Sequence, residues 1–242
     1  ISPFIGTSPN HYSLWSSTLH LAGKMFGRRD WEDLGASILH RFAAQEQAPD
    51  GYWGEHDQTG PTTGYNYLTL TAVAVYYEHS NDPVALEALR RVTDFHKFFT
   101  YPNGVPVEVI NDRNRTWEVS PWGHFGFSNF PDGRRFSELL TEHLGPGRTS
   151  PETLGRIAQN ALYYHEGPTA PIPQEQTNYA HRMKLQAGIR KTIRGTTSPK
   201  PAGGIEPERF HACLRPSRGI MRINGPPAMR PRTSHPSMLM RT

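Results

Sequence analysis

The chain has 242 residues, which is enough for one sizeable hydrophobic core or for a domain followed by a tail. Its net charge of +4 is uneven, because residues 1–186 carry 15 basic and 20 acidic side chains and residues 187–242 carry 11 and 2. The basic character belongs to the C-terminal part and does not indicate a nucleic-acid-binding body. The single cysteine, Cys213, excludes an intramolecular disulfide, and no apolar run approaches the roughly 20 residues of a membrane span.

Two helices are predicted near the start of the chain. Apolar residues follow one another at helical spacing from His11 to Phe26, and Gly27 is the expected stop. A second apolar stripe from Trp31 to Phe42 predicts the next helix. The short connection between the two indicates a helical hairpin.

A second hairpin is predicted from the next two segments. The run Leu68–Tyr77 is apolar nearly all round and predicts a fully buried helix. A buried strand is the alternative, because threonine and valine are frequent there. The helix is favoured since the pattern can continue over Gly64–His79, which is long for a strand. Asp82 and Pro83 then predict the cap and first turn of a helix that reaches Phe99.

The second half of the chain has weaker signals. A short strand is predicted over Val105–Ile110 and a short helix over 136–144, while Ser150 followed by proline predicts a helix that ends by Gly167. Residues 171–242 are rich in proline and arginine and have no period of either kind, so we expect a linker and an unstructured tail. A shifted reading frame in the coding DNA would give the same composition, and this alternative stays open.

These elements predict an all-α fold class: an incomplete α/α toroid of helical hairpins with long loops over residues 1–170, followed by an unstructured C-terminal tail. A helical solenoid is the alternative, but no self-similar repeat of about 34 or 40 residues is visible.

The segment Asp50–Tyr67 is too rich in glycine, aromatic and polar residues for a core element, and it lies between two predicted helices. Gln47, Gly51 and Trp53 fit the pattern Q-x-x-x-G-x-W, which is known from the toroids of triterpene cyclases. A single copy predicts a turn that locks two helices together. We expect the second half of the segment, from Glu55, to carry chemistry.

The longer stretch resembles the toroid domain of polysaccharide lyases, in particular the heparinase II/III-like and related alginate and uronate lyases. The resemblance implies a sugar cleft, an acidic polysaccharide or oligosaccharide as partner, and a secreted or periplasmic location. It also implies a C-terminal β-sheet domain, which is not recognisable in this sequence. The resemblance covers about residues 10–170 and depends on Asp50-Gly-Tyr-Trp-Gly-Glu-His56, Gly60-Pro61, Gly64-Tyr-Asn-Tyr67, Asn111-Asp-Arg-Asn-Arg115 and Trp122-Gly-His124.

Lyases of this kind remove the proton α to a uronate carboxylate and expel the glycosidic oxygen, which requires a base, an acid and a group that stabilises the enolate-like intermediate. The histidines are candidate bases, and Tyr65 or Tyr67 is a candidate base or acid whose pKa a nearby arginine would lower. Asparagine and arginine would meet the carboxylate, and tryptophans would supply flat surfaces for sugar rings. The predicted catalytic residues are His56, Tyr65, Asn66, Arg113 and His124, and the predicted substrate-binding residues are Trp53, Glu55, Tyr67, Arg115, Trp117 and Trp122. Neither a metal site nor a cofactor is predicted.

Two other functions stay open. A glycoside hydrolase of the α/α-toroid type would need two carboxyl groups, for which Glu55, Asp57, Asp112 and Glu118 are candidates. A non-catalytic glycan-binding or scaffold domain would keep the aromatic surfaces without the acid/base set. The lyase is favoured because the segment 111–115 is basic on balance and the loops are rich in tyrosine, histidine and asparagine.

Overall fold

The computed structural model describes residues 7–55, 60–107, 118–145 and 150–176, together with the backbone of two short strands at 180–181 and 221–222. This part of the chain is helical, so the all-α fold class is confirmed. The helices are α1 (Pro9–Phe26), α2 (Arg29–Gln45), α3 (Thr63–Ser80), α4 (Pro83–Phe98), α5 (His124–Phe127), α6 (Pro131–Glu142) and α7 (Pro151–Leu162). None of these helices has the length and apolarity needed to cross a bilayer.

Two pairs of very short antiparallel strands accompany the helices. Strand β1 (Gly54–Glu55) pairs with β2 (Gly60–Pro61) just before α3, and β3 (Ala180–His181) pairs with β4 (Met221–Arg222).

Helices α1 and α2 form the predicted hairpin and meet backbone to backbone. A Cβ on Gly23 would lie 2.2 Å from the backbone nitrogen of Glu32, and one on Gly35 would lie 2.6 Å from that of His20. Gly27 ends α1 in the left-handed conformation, with φ of 65°, as predicted. The helix begins at Pro9 rather than His11, since proline suits a first turn.

Helix α3 passes through the centre of the core and contacts α1, α4 and α5. The alternative of a buried strand is therefore wrong. Tyr67, Leu70 and Val73 are fully buried, as the nearly all-round apolar pattern predicts. The carboxylate of Asp82 then caps α4 by accepting a hydrogen bond from the backbone N–H of Val84 at 2.9 Å.

An ion-pair network ties α4 to the start of α6. Arg90 donates to the carboxylate of Asp132 at 2.8 Å and to Asp94 at 2.7 Å. Lys97, which is buried, also pairs with Asp132. Arg90 lies over the ring of Phe130, 4.4 Å from its centroid. These contacts fix the position of α6 against the central hairpin.

The second half departs from the sequence-based expectations in several places. The helix expected over 136–144 covers Pro131–Glu142, because Pro131 supplies an earlier first turn. Ser150 caps α7 as predicted, but α7 ends at Leu162 rather than Gly167. Of the strand expected over 105–110, Pro106 makes an isolated bridge to Thr100, and residues 108–110 lie outside the described residues.

Residues 171–176, which the sequence assigns to the linker, pack on the helical body. Ile172 is fully buried, and the amide of Gln174 donates to the carbonyl of Thr100 at 2.8 Å. Glu175 pairs with Arg135 of α6 at 2.5 Å. The predicted division at residue 170 stays a prediction, and the rest of the predicted tail, apart from the backbone of β3 and β4, lies outside the described residues.

The outer face of α7 is open. None of its residues is buried, and Leu154 and Ile157 of its apolar stripe are exposed. A groove of about 460 Å³ separates α7 from α6. It is lined by Ser137, Glu138, Thr141, Glu142, Leu144, Ile157, Asn160, Ala161 and Tyr164.

Candidate functional site

Gln47 locks the end of α2 to α4. Its amide nitrogen donates to the carbonyls of Gly51 and Ala88, each at 2.9 Å, and its amide oxygen accepts from Arg91 at 2.8 Å. Gly51 has φ of 94°, and a Cβ there would lie 2.1 Å from the carbonyl oxygen of Arg91. The structural lock predicted from the Q-x-x-x-G-x-W pattern is therefore confirmed.

Trp53 and Asn66 hold the loop to the start of α3. The backbone N–H of Trp53 donates to the Asn66 side-chain oxygen at 2.9 Å, and the Asn66 amide donates back to the Trp53 carbonyl at 3.2 Å. The indole stacks on Phe42 with ring centroids 5.7 Å apart, and both Trp53 and Asn66 are buried. These contacts give both residues a structural role, while their predicted roles toward a sugar stay predictions.

Tyr67 of α3 and His96 of α4 are buried and in ring contact, and buried His124 of α5 is near enough to influence the pKa of His96. We call Tyr67 of α3, His96 of α4 and His124 of α5 the histidine–tyrosine cluster. The rings of Tyr67 and His96 lie 4.2 Å apart between centroids, and each of the three residues is at most 1 % exposed. His124 places Nε2 2.5 Å from the carbonyl oxygen of Ser120, which assigns the proton to Nε2 and leaves Nδ1 as a lone-pair acceptor.

Three polar atoms of this cluster have no hydrogen-bond partner among the described residues: both ring nitrogens of His96 and Nδ1 of His124. A buried polar atom without a partner costs about 1–3 kcal/mol of stability. Proteins keep such local costs mainly at functional sites. The cluster is therefore the strongest candidate site in the part of the chain that the structure describes.

Burial keeps the cluster uncharged at neutral pH. It lowers the pKa of His96 to about 3, and the neighbouring His124 contributes in the same direction. Burial also lowers the pKa of His124 to about 4, against the opposing effect of the Ser120 carbonyl. Burial raises the pKa of Tyr67, with a smaller opposing effect from the Thr100 hydroxyl. For Tyr67, the expectation of a pKa lowered by arginine is therefore wrong.

The other predicted site residues are distributed as follows. Tyr65 is half-buried in the first turn of α3, one residue before Asn66. Trp122 is half-buried two residues before His124, and Glu55 is described only through the backbone of β1. Tyr65 and Asn66 therefore lie in the first turn of α3 and His124 begins α5, while Gly123, just before His124, approaches Thr71 in the middle of α3. His56, Arg113, Arg115 and Trp117 lie outside the described residues, so the convergence of all five predicted catalytic residues stays a prediction.

Sequence reasoning did not select His96 as a candidate site residue and so missed its place in the cluster. The signal was present, since His96 follows Leu89 by seven residues and Val92 by four and so lies on the apolar face of α4. Asn10 was also missed. It is buried in the first turn of α1, and its side-chain oxygen has no partner among the described residues.

Metal ligation finds no support among the described residues, which contain no group of three His, Cys, Asp or Glu side chains placed to hold an ion. In comparisons with known proteins, no protein-family model, curated protein or solved structure matches the chain.

Proposed function

We propose that the chain is an α/α-toroid domain of a polysaccharide lyase that cleaves uronate-containing glycans by β-elimination. The observation that carries the proposal is the histidine–tyrosine cluster. It combines uncharged histidines, a tyrosine that keeps its proton, and three unpartnered ring nitrogens. Tyr67 and His124 belong to the motifs Gly64–Tyr67 and Trp122–His124, on which the resemblance to the lyases depends.

In this reaction His124 is the base. Its Nδ1 lone pair takes the proton α to the uronate carboxylate, while the bond from the β carbon to the glycosidic oxygen breaks and a carbon–carbon double bond forms. The low pKa of His124 ensures that Nδ1 is unprotonated before substrate binds. A uronate carboxylate beside the ring would raise that pKa and strengthen the base when it is needed.

Tyr65 is the acid that protonates the leaving oxygen. It lies one helical position before Asn66 in the first turn of α3 and is half-buried. Tyr67 donates a hydrogen bond within the site, because burial holds its proton.

The alternative of a glycoside hydrolase depends on two carboxyl groups at the reacting centre. Of its candidates, Asp57 and Asp112 lie outside the described residues and Glu55 is described only through its backbone, so hydrolysis stays an alternative.

Incubating the full chain with a panel of uronate polysaccharides tests the proposal through the ultraviolet absorbance of the unsaturated product. We expect His124→Gln to lower the rate by about 100-fold or more, the range typical of general base catalysis. The matched control is His40→Gln, because His40 is exposed and pairs with Asp82 at the far end of α3. Its activity should equal that of the wild-type chain.

Other outcomes contradict the proposal in distinct ways. New reducing ends without absorbance would identify a hydrolase. Glycan binding without any product would identify a binding module. An unchanged rate in a folded His124→Gln protein would remove His124 as the base.

A further inference from the structure

The guanidinium of Arg156 in α7 lies over the indole ring of Trp122. Its Cζ atom is 3.4 Å from the ring centroid, the distance of a stacked cation–π contact. Asn160, one turn further along α7, fixes this arrangement by donating to the carbonyl of Pro121 at 3.0 Å. It also accepts from the backbone N–H of Phe125 at 3.4 Å. Two elements therefore hold the stacked pair together.

The guanidinium of Arg156 has few polar contacts of its own. Among the described residues no carboxylate pairs with it, and its hydrogen bond to the Gln159 side chain is long, at 3.5 Å. Arg90 offers the contrast, since it also lies on an aromatic ring but forms ion pairs with Asp94 and Asp132. The stacked pair thus presents a charged donor group that the described part of the protein leaves without a counter-ion.

The surroundings of Arg156 make an added counter-ion more stabilising. Partial burial disfavours the charged form and lowers the pKa of Arg156, and Glu152, one turn earlier, offsets only part of this effect. An arginine remains protonated even so. A planar guanidinium whose N–H groups are free matches the two oxygens of a carboxylate.

Arg156 covers one face of the Trp122 ring, so that face supports the guanidinium and is closed to a sugar. The predicted contact of Trp122 with substrate stays a prediction. Trp122 is also only two residues from His124, so the two Cα atoms are within about 7 Å of one another.

We propose that Arg156, held on Trp122, is a subsite for the carboxylate of an acidic sugar. This inference rests on the proposed function and gives it a determinant of substrate charge. The sugar unit whose carboxylate meets Arg156 is at or next to the unit that reaches His124. Arg156 therefore selects acidic glycans over neutral glycans of the same backbone.

The test compares binding of a glucuronate-containing oligosaccharide with binding of the same oligosaccharide after reduction of its carboxyl groups. By calorimetry, the wild-type chain should prefer the acidic form by about 10-fold. Arg156→Gln should lose most of that preference, and Arg156→Lys should keep only part of it, because lysine cannot stack or bind in bidentate fashion. Arg28→Gln is the matched control, since Arg28 is exposed and pairs with Asp30. A preference that survives in Arg156→Gln would overturn the inference.

A second measurement separates this inference from the proposed function. If the wild-type chain binds neither oligosaccharide, the glycan-processing proposal fails, and the subsite is tested with sodium glucuronate alone. We expect glucuronate to shift the side-chain Nε–H resonance of Arg156, identified as the signal missing from Arg156→Gln. An unmoved resonance, or one that sulfate moves and glucuronate does not, would refute a carboxylate subsite.

Discussion

Burying two neutral histidines should make the protein sensitive to mild acid. His96 and His124 have folded-state pKa values of about 3 and about 4. Histidine in an unfolded chain titrates near 6.5. The unfolded state therefore binds more protons than the folded state between these limits. The stabilising contribution of each histidine is complete above about pH 6.5 and is lost as the pH falls toward the folded-state pKa.

The size of the effect follows from the difference in proton binding. Between pH 7.5 and 5.5 each buried histidine should lower the free energy of unfolding by about 1.4 kcal/mol, or about 3 kcal/mol for the pair. For a chain of this length, that loss corresponds to a fall in melting temperature of about 6–12 °C. Carboxylates and exposed histidines add their own pH dependence, so the contribution of His96 must be obtained by difference.

His96→Phe isolates that contribution. The ring of His96 already lies among Tyr67, Phe95 and Phe127, with centroids 4.2, 5.3 and 5.7 Å away, so phenylalanine has suitable neighbours. At pH 7.5 the variant should be as stable as the wild-type chain or more so, because two unpartnered ring nitrogens are removed. Between pH 7.5 and 5.5 it should lose about 1.4 kcal/mol less than the wild-type chain.

Urea unfolding at the two pH values, followed by circular dichroism, measures both quantities. A variant that loses as much stability as the wild-type chain would refute the assignment of His96 as a buried neutral histidine. His40→Gln is the control, since His40 is exposed. This variant should keep the loss of stability between pH 7.5 and 5.5 that the buried histidines cause.

Two further changes test the framework around the site. Gly51→Ala should destabilise the protein by about 3 kcal/mol or more, because its Cβ would lie 2.1 Å from the Arg91 carbonyl oxygen at a φ of 94°. Gly155→Ala, in open space on α7, should be neutral or stabilising. Thermal melts of both variants measure the difference, and equal effects of Gly51→Ala and Gly155→Ala would contradict the structural lock at Gly51. Asp132→Asn should cost about 2 kcal/mol by removing the partner of Arg90 and Lys97, whereas Asp30→Asn, in an exposed pair, should change stability far less. Because the pKa of Asp132 is lowered, its contribution is present above about pH 4 and is lost as the pH falls further, so Asp132→Asn and the wild-type chain should converge in strong acid.

The helical framework could be predicted from the sequence because its signals are local. The apolar spacing of α3 and α4, the glycine after α1 and the caps at Asp82 and Ser150 each depend on neighbouring residues only. In α1 the spacing predicted the helix but not its buried face, because Trp15, Met25 and Phe26 are exposed and small polar residues face the core. The end of α7 was misplaced because the chain continues past Leu162 without a strong stop before Gly167.

The candidate site could be predicted only in part, because it is assembled from distant segments. Tyr67, His96 and His124 come from three helices, and the sequence places a residue on a helical face without showing which side chain meets it. The same holds for Arg156, whose position on an open helix shows nothing of Trp122, more than thirty residues earlier. Local patterning therefore does not assign a role to a histidine or tyrosine that lies on an apolar helix face.

The backbone contact between α1 and α2 leaves this hairpin no freedom to slide. Each helix meets its partner through a single glycine, Gly23 in α1 and Gly35 in α2. A residue inserted between either glycine and the turn at Gly27 would rotate the rest of that helix by about 100° and bring a side chain to the crossing. Insertions and deletions are therefore tolerated only at the helix ends away from the turn, where they leave Gly23 and Gly35 facing the crossing.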